Sequence, residues 1–200
     1  MKTAVEIMSS KKEYREEIEK ILSREECRKL WNKAVRRLRK ILDKYSDLPT
    51  GVHLHTDEKI FPAAAVYITA KEFMTGDQAY AVIENAAVAI CAKARKGLTK
   101  AMRIPFMPSL FVGIWDPMTK KMFGADCGFR NKFYPKEKSA YRMDIIECPY
   151  NRYLTELGCP EHTKIFCDND ERIYGDLPGL VFERKGTIGK GFEKCDFYIT

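Results

Sequence analysis

Four cysteines in the C-terminal quarter of the chain lie among charged residues, and thiols in such surroundings are the side chains best suited to covalent chemistry. Cys148 directly precedes Pro149, a residue that favours the start of a helix. The partial positive charge at a helix N-terminus lowers the pKa of a thiol, so Cys148 is a candidate. Cys195 stands between Lys194 and Asp196 at the start of a predicted strand, where the lysine favours the thiolate.

Cys167 lies in a more acidic stretch, because Asp168 and Asp170 follow it closely. We expect Arg184 to lie across a hairpin from Cys195. A reactive thiol, a carboxylate and a fixed cation are the groups needed for attack on an electrophilic carbon. Electrostatics therefore favour Cys195 over Cys167 as the nucleophile. Taken singly, each of these cysteines also has the character of a small buried core residue.

Other motifs point to ordinary structure rather than to chemistry. No Cys-x-x-Cys pair occurs, so we predict no zinc ribbon, although a less regular metal site that uses His162 or Asp168 stays open. The spacing of glycines between residues 186 and 191 does not match a phosphate-binding P-loop, and we predict a hairpin loop there. His53 and His55 are interpreted as two ordinary histidines in a loop. We predict no metal and no cofactor.

Composition is typical of a globular protein of one domain, which we place at residues 1–200. The chain has 200 residues, of which 45% are hydrophobic and 32% are charged, and its net charge is +7. Seven basic residues fall between Arg28 and Lys40, and their spacing is typical of the outer face of an amphipathic helix, so we expect no nucleic-acid partner. The first residues lack the apolar core of a signal peptide, and no apolar stretch is long enough to span a bilayer.

Cysteine usage agrees with a cytoplasmic protein that has no membrane partner. The seven cysteines are odd in number and follow no secretory signal, which favours free thiols. Cys27 and Cys91 fall on apolar faces of predicted helices and are expected to be core residues. The oligomeric state stays open.

Hydrophobic periodicity predicts an α+β fold, with a helical N-terminal half packed on a small antiparallel sheet from the C-terminal half. Helices are predicted over 11–22 with a serine cap at Ser9 or Ser10, over 24–45, over 63–74 after Pro62, over 77–96 with a Thr75–Gln78 capping box and an end at Gly97, and over 149–157 with an end at Gly158. Strands are predicted over 141–145, 180–184 and 195–199.

Several short motifs near the C-terminus, taken in order, resemble the L-2-amino-thiazoline-4-carboxylic acid hydrolase family. They are Cys148-Pro149-Tyr150, the segment 156–161, Phe166-Cys167-x-x-Asp170, Arg184-x-x-Thr187-Ile188-x-x-Gly191 and Cys195-Asp196-Phe197. The resemblance covers roughly the last quarter of the chain, and its most specific part is the pairing of Arg-x-x-Thr with Cys-Asp-Phe. The helical first half resembles the family only in general character.

The resemblance implies a hydrolase that opens a cyclic isothiourea to N-carbamoyl-cysteine, with a small molecule as its substrate. In such a reaction Asp170 or Asp196 would hold the protonated amidine, and Arg184 would bind the substrate carboxylate, with Cys148 nearby. Cys167 or Cys195 would attack as a thiolate and later be released by water; direct attack by activated water is the alternative. A different class of function is also open, in which the same cysteine pocket holds a small ligand or a metal without catalysis.

Overall fold

The computed structural model describes residues 2–135 and 140–200, and helices dominate its N-terminal part. The helices are α1 (Ala4–Ser9), α2 (Lys12–Glu19), α3 (Arg24–Lys44), α4 (Thr50–His55), α5 (Phe61–Ala70), α6 (Gly76–Met102), α7 (Met107–Met122), α8 (Pro149–Glu156) and α9 (Thr163–Tyr174). Short 3₁₀ turns occupy Ala125–Cys127, Pro160–His162 and Ile188–Lys190.

The C-terminal part forms a small antiparallel sheet of β1 (Arg130–Phe133), β2 (Tyr141–Glu147), β3 (Phe182–Glu183) and β4 (Cys195–Ile199). The strand order is β1-β2-β4-β3, and every neighbouring pair is antiparallel. On β4 the side chains of Cys195, Phe197 and Ile199 are buried, whereas those of Asp196 and Tyr198 on the other face are partly exposed. The α+β prediction is therefore confirmed, with helices first and a small antiparallel sheet after them.

Two apolar cores meet where α8 leaves the sheet. One is built from helices and is centred on fully buried residues such as Leu38, Phe61 and Leu154. The other lies between α7 and the sheet and includes Trp115 and Phe197. Tyr150, on the first turn of α8, packs against both cores. Its hydroxyl contacts Nδ1 of the buried His55 at 3.0 Å, and the other ring nitrogen of His55 lies 2.7 Å from the carbonyl oxygen of Met122.

Caps and periodicity predicted the long helices well. α3 begins after a Ser23–Glu26 capping box, and α6 begins after the predicted box of Thr75 and Gln78. Pro62 lies in the first turn of α5, and Gly158 follows α8 with a positive φ of 76°. The strand predicted over 195–199 has the same bounds in the structure, and the strand predicted from Tyr141 extends to Glu147.

Other boundaries were wrong, because packing outweighs local preference. α6 continues through Gly97 to Met102, since a helical glycine costs only about 1 kcal/mol relative to alanine while α6 packs on both α2 and α9. Ser9 ends α1 instead of capping α2, and the predicted helix to residue 74 ends at Ala70. His53 and His55 lie in α4, not in a loop. The sequence analysis also missed α1, α7, α9 and β1.

A π-helical turn, Thr56–Ile60, joins α4 to α5 without a break. Such turns insert an extra residue into the helical ladder and rotate the neighbouring side chains around the axis, and they occur frequently at functional sites. Ile60 and Phe61 point into the helical core, whereas Lys59 is exposed. The π-helical turn thus sends a lysine outward directly before a run of buried residues.

Gly97 lies inside α6 and Gly158 follows the end of α8, and replacing each by alanine should have opposite effects on stability. An added Cβ would meet no atom within 4 Å at Gly97 or at Gly158, but only Gly158 has a positive φ. We expect Gly97→Ala to raise the free energy of unfolding in urea by about 0.5–1 kcal/mol, because alanine favours the helix. Gly158→Ala should lower it by about 1–2 kcal/mol, because a Cβ disfavours the left-handed conformation. Destabilisation by Gly97→Ala would contradict a continuous α6.

Candidate active site

Cys167 lies on the second turn of α9, where the loop that leads into β4 crosses the helix. The backbone of this loop approaches so closely that a Cβ on Gly189 would lie 2.9 Å from the sulfur of Cys167 and 2.9 Å from the amide nitrogen of Lys164. Glycine therefore allows the loop to contact the thiol. Lys190 fixes the same loop to α9, because its ammonium lies 2.7 Å from Oδ1 of Asp168.

Hydrogen bonds to the Cys167 sulfur lower the pKa of this thiol. The main cause is the thiol of Cys195, which donates a hydrogen bond to it, and the amide of Gly189 and the hydroxyl of Thr187 add to the effect. The Thr187 hydroxyl is buried and its oxygen has no hydrogen-bond partner among the described residues, so it is free to turn toward this sulfur. Burial and the charge of Asp170 act in the opposite direction, but the donors outweigh them.

Cys195 is the donor of this pair, and its pKa is raised. Its proton is held in the hydrogen bond to Cys167, and burial adds to the shift. The backbone amide of Ile188 donates to the Cys195 sulfur at 3.3 Å, but this does not reverse the direction. Lys194, which was expected to favour a Cys195 thiolate, instead binds Oδ2 of Asp144 at 2.7 Å. Within the pair the thiolate form is therefore favoured at Cys167 and disfavoured at Cys195, opposite to the electrostatic expectation.

Arg184 joins the end of β3 to α9. Its guanidinium donates to Oδ2 of Asp170 and to the carbonyl oxygen of Cys167, both at 2.9 Å. It also lies over the rings of Phe182 and Phe197, 5.6 and 5.4 Å from their centres. Only 4% of the side chain is exposed. The guanidinium of Arg184, which was expected to bind the substrate carboxylate, is thus bonded to Asp170 and to the backbone of α9.

Asp170 is reached by water and is also largely surrounded by protein. Its side chain is 36% exposed, yet burial raises the pKa of its carboxyl to about 6, against the opposing charges of Arg184 and Lys59. Lys59 is likewise accessible to water, yet the surrounding protein lowers the pKa of its ammonium by partial desolvation. Each of the two charges shifts the pKa of the other, so the two groups lie within range of Coulomb interaction. We call the region between Lys59 and Asp170 the recess.

Cys148 lies close to this recess but is not activated. Burial raises its pKa to about 12, and the charges of Cys167 and Asp170 add to the shift. The amides of Tyr150 and Asn151 at the start of α8 lower the pKa, as expected of a helix N-terminus, but by less than burial raises it. The prediction of a low pKa for Cys148 is therefore wrong.

Asp196 lies outside the group formed by Cys167, Cys195, Asp170 and Arg184. It follows Cys195 on β4 and so points to the opposite face of the sheet. Its Oδ1 accepts hydrogen bonds from the amides of Lys185 and Gly186, at 3.0 and 2.8 Å. Asp196 thus shapes the loop after β3, and the structure gives it no contact with the Cys167–Cys195 pair.

Comparison with known proteins shows the family to which the chain belongs. The family model for L-2-amino-thiazoline-4-carboxylic acid hydrolase matches residues 54–199, nearly three quarters of the chain. The chain belongs to this family. No curated protein and no solved structure matches it. The family match supports a hydrolase and includes every residue of the recess and of the thiol pair.

Lys59 and Thr187 are candidate site residues that the sequence analysis did not select. Thr187 belongs to the Arg-x-x-Thr motif, so its position in the motif was an available signal. Lys59 directly precedes the apolar segment from Ile60 to Ala70, and a lysine beside such a segment is a weaker signal. Its orientation depends on the π-helical turn, which no residue pattern announced.

Among the described residues, none of the three histidines is hydrogen-bonded to the sulfur of Cys167 or of Cys195. His162 is fully buried, 4.0 Å from the ring centre of Tyr67, and burial lowers its pKa to about 4. His53 pairs with Asp57 at 3.0 Å, at the edge of a separate cavity of about 270 Å³. Within residues 2–135 and 140–200, no group of three or more His, Cys, Asp or Glu side chains is arranged to hold a metal ion. No described helix is long and apolar enough to cross a membrane.

If the hydrogen bond from Cys195 lowers the pKa of Cys167, removal of the Cys195 thiol should change the titration of Cys167. We expect Cys195→Ala to raise the pKa of Cys167, because the largest contribution to its lowering is removed. Cys195→Ser should raise it less, because a hydroxyl can still donate. The measurement is the pH dependence of alkylation at residue 167, followed by peptide mass spectrometry. Cys27→Ala, a change in the buried face of α3, is the control and should leave the titration unchanged. An identical titration in Cys195→Ala would exclude this hydrogen bond as the cause.

Proposed function

We propose that the protein is a hydrolase that opens a small cyclic amidine which carries a carboxylate, such as L-2-amino-thiazoline-4-carboxylate, to give N-carbamoyl-L-cysteine. The observation that carries the proposal is the thiolate of Cys167 beside a recess that holds one negative and one positive side chain. Membership in the L-2-amino-thiazoline-4-carboxylic acid hydrolase family supports the reaction class.

The charges of the recess complement those of the substrate. The protonated amidine is a planar cation, and the carboxylate of Asp170 can accept hydrogen bonds from it. The substrate carboxylate would bind the ammonium of Lys59, which is exposed in the recess and not buried as Arg184 is. Asp170 follows Cys167 by three residues on α9, so both side chains lie on one face of the helix. The amidine carbon would therefore be held close to the sulfur.

In the proposed reaction the Cys167 thiolate attacks the ring carbon between sulfur and nitrogen. A bond forms between the Cys167 sulfur and this carbon, the bond from the carbon to the ring sulfur breaks, and the released thiolate takes a proton. The product of this step is an isothiourea linked to the enzyme. Water then adds to the same carbon, the Cys167 sulfur leaves as a thiolate, and the urea group of N-carbamoyl-cysteine remains. One water is consumed overall.

The neighbours of Cys167 suit both steps. Donors from Cys195, Gly189 and Thr187 stabilise the thiolate before attack and again when it leaves. The carboxylate of Asp170, with a pKa of about 6, is largely ionised at neutral pH and can both hold the amidinium and accept a proton from water. A cysteine nucleophile also explains how the site works without a histidine base, because the thiolate is already present.

Turnover of the thiazoline tests the role of the thiols. We expect Cys167→Ser to lose at least about a thousandfold in kcat, because the nucleophile is removed. Cys195→Ala should lose less, since it removes a donor and not the attacking atom. Cys27→Ser, in the helical core far along the chain, serves as the control and should keep full turnover.

Retention of turnover in Cys167→Ser would move the mechanism to direct attack by water. If the unmodified protein binds the thiazoline saturably but releases no thiol, the result favours the alternative function, in which the pocket binds a small ligand without catalysis. Release of free thiol is read with a chromogenic disulfide, and binding is read by calorimetry, so the two outcomes are separable.

The role of Lys59 predicts a change in the recognition of the substrate carboxylate. We expect Lys59→Met to raise KM roughly 10- to 100-fold, the range for loss of a hydrogen bond between charged groups. Lys59→Arg, which keeps the charge, should raise KM much less. The unmodified protein should prefer the free acid over its methyl ester, and Lys59→Met should lose this preference. An unchanged acid-to-ester ratio in Lys59→Met would contradict this role.

A further inference from the structure

Cys167 and Cys195 form a pair of neighbouring thiols that hydrolysis alone does not require. Their side chains come from different elements, α9 and β4, and both pack against one short loop segment. The 187–189 segment contacts both sulfurs, through the amide of Ile188 at Cys195 and the close approach of Gly189 at Cys167. One loop thus brings the two thiols into the same neighbourhood.

The two thiols differ in accessibility. Cys167 is partly exposed, whereas Cys195 is 5% exposed and lies on the inner face of β4. All seven cysteines are free, and Cys148 is partly buried near the same pair. A small oxidant would therefore reach Cys167 before Cys195. An accessible thiol beside a second, resolving cysteine is the arrangement found in redox-sensing proteins.

We propose that Cys167 is an oxidation site for hydroperoxides, and that Cys195 resolves the oxidised form to a Cys167–Cys195 disulfide. The inference concerns regulation of the same site and its consequence for activity rests on the proposed function. The disulfide would remove the nucleophile, so hydrolysis would stop until a dithiol reduces the bond.

The chemistry balances in two steps. The Cys167 thiolate attacks one oxygen of the hydroperoxide, the O–O bond breaks, a Cys167 sulfenic acid forms, and the other oxygen leaves with a proton as an alcohol or water. The Cys195 thiol then attacks the sulfenic sulfur, a disulfide forms, and water leaves. The two thiols lose two electrons in total, and the hydroperoxide gains them. A dithiol returns both cysteines to the reduced state by exchange.

Stoichiometric hydrogen peroxide on the full, reduced chain tests the proposal by intact mass and peptide mapping. We expect the loss of two hydrogen atoms, a Cys167–Cys195 crosslinked peptide, and protection of two of the seven thiols from alkylation. Dithiothreitol should restore all of them. Cys27→Ser is the control and should form the same crosslink. In Cys195→Ser the sulfenic acid at residue 167 should persist and react with dimedone.

Three results would overturn the proposal: direct conversion of Cys167 to sulfinic acid in the unmodified chain, a crosslink from Cys167 to Cys148, or no preference of peroxide for Cys167 over Cys27. The mass readout needs no turnover, so it separates the two proposals. A crosslink in a chain without thiazoline hydrolysis would leave this inference intact and reject the proposed function. Hydrolysis that persists in the fully crosslinked chain would reject Cys167 as the nucleophile.

Discussion

The buried guanidinium of Arg184 is the interaction on which the geometry of the site depends. It binds Asp170 and the carbonyl of Cys167, and it lies over the rings of Phe182 and Phe197, so it joins the sheet to one turn of α9. A buried cation without partners is costly, and removal of Arg184 would leave Asp170 without its hydrogen-bonded cation. The same contacts hold the carboxylate in the recess and fix the part of the helix that carries Cys167.

Three cysteines in one region of the chain show how local donors decide reactivity. Burial raises the pKa of all three thiols, those of Cys148, Cys167 and Cys195. Only Cys167 receives enough hydrogen bonds to reverse this effect, and one of them comes from Cys195, which must keep its proton to donate it. The helix N-terminus at Cys148 is too weak to do so. The activation of one thiol therefore requires the protonated state of the other.

The remaining parts of the recess come from the helical half of the molecule. The π-helical turn directs Lys59 outward while its neighbours stay in the core. Tyr150 packs between the two apolar cores and contacts the buried His55, which is why the start of α8 keeps a fixed position beside α9. The charges of Lys59 and Asp170 thus act on each other because the helical half is packed against α9, and neither part of the chain alone forms the candidate site.

The sequence by itself determined the α+β class, the long helices and the C-terminal strand, because capping boxes, helical periodicity and strand alternation depend on residues close in the chain. It also selected Cys167, Cys195, Asp170 and Arg184, since their residue types occur in a specific motif. The tertiary structure alone decided which thiol is the thiolate, because pKa depends on burial and on donors from distant loops. The tertiary structure also shows Asp196 bonded to the loop after β3 and Arg184 bonded to Asp170. It places Lys59 within electrostatic range of Asp170. None of this follows from the sequence, because the direction of a side chain depends on packing and not on its place in the chain.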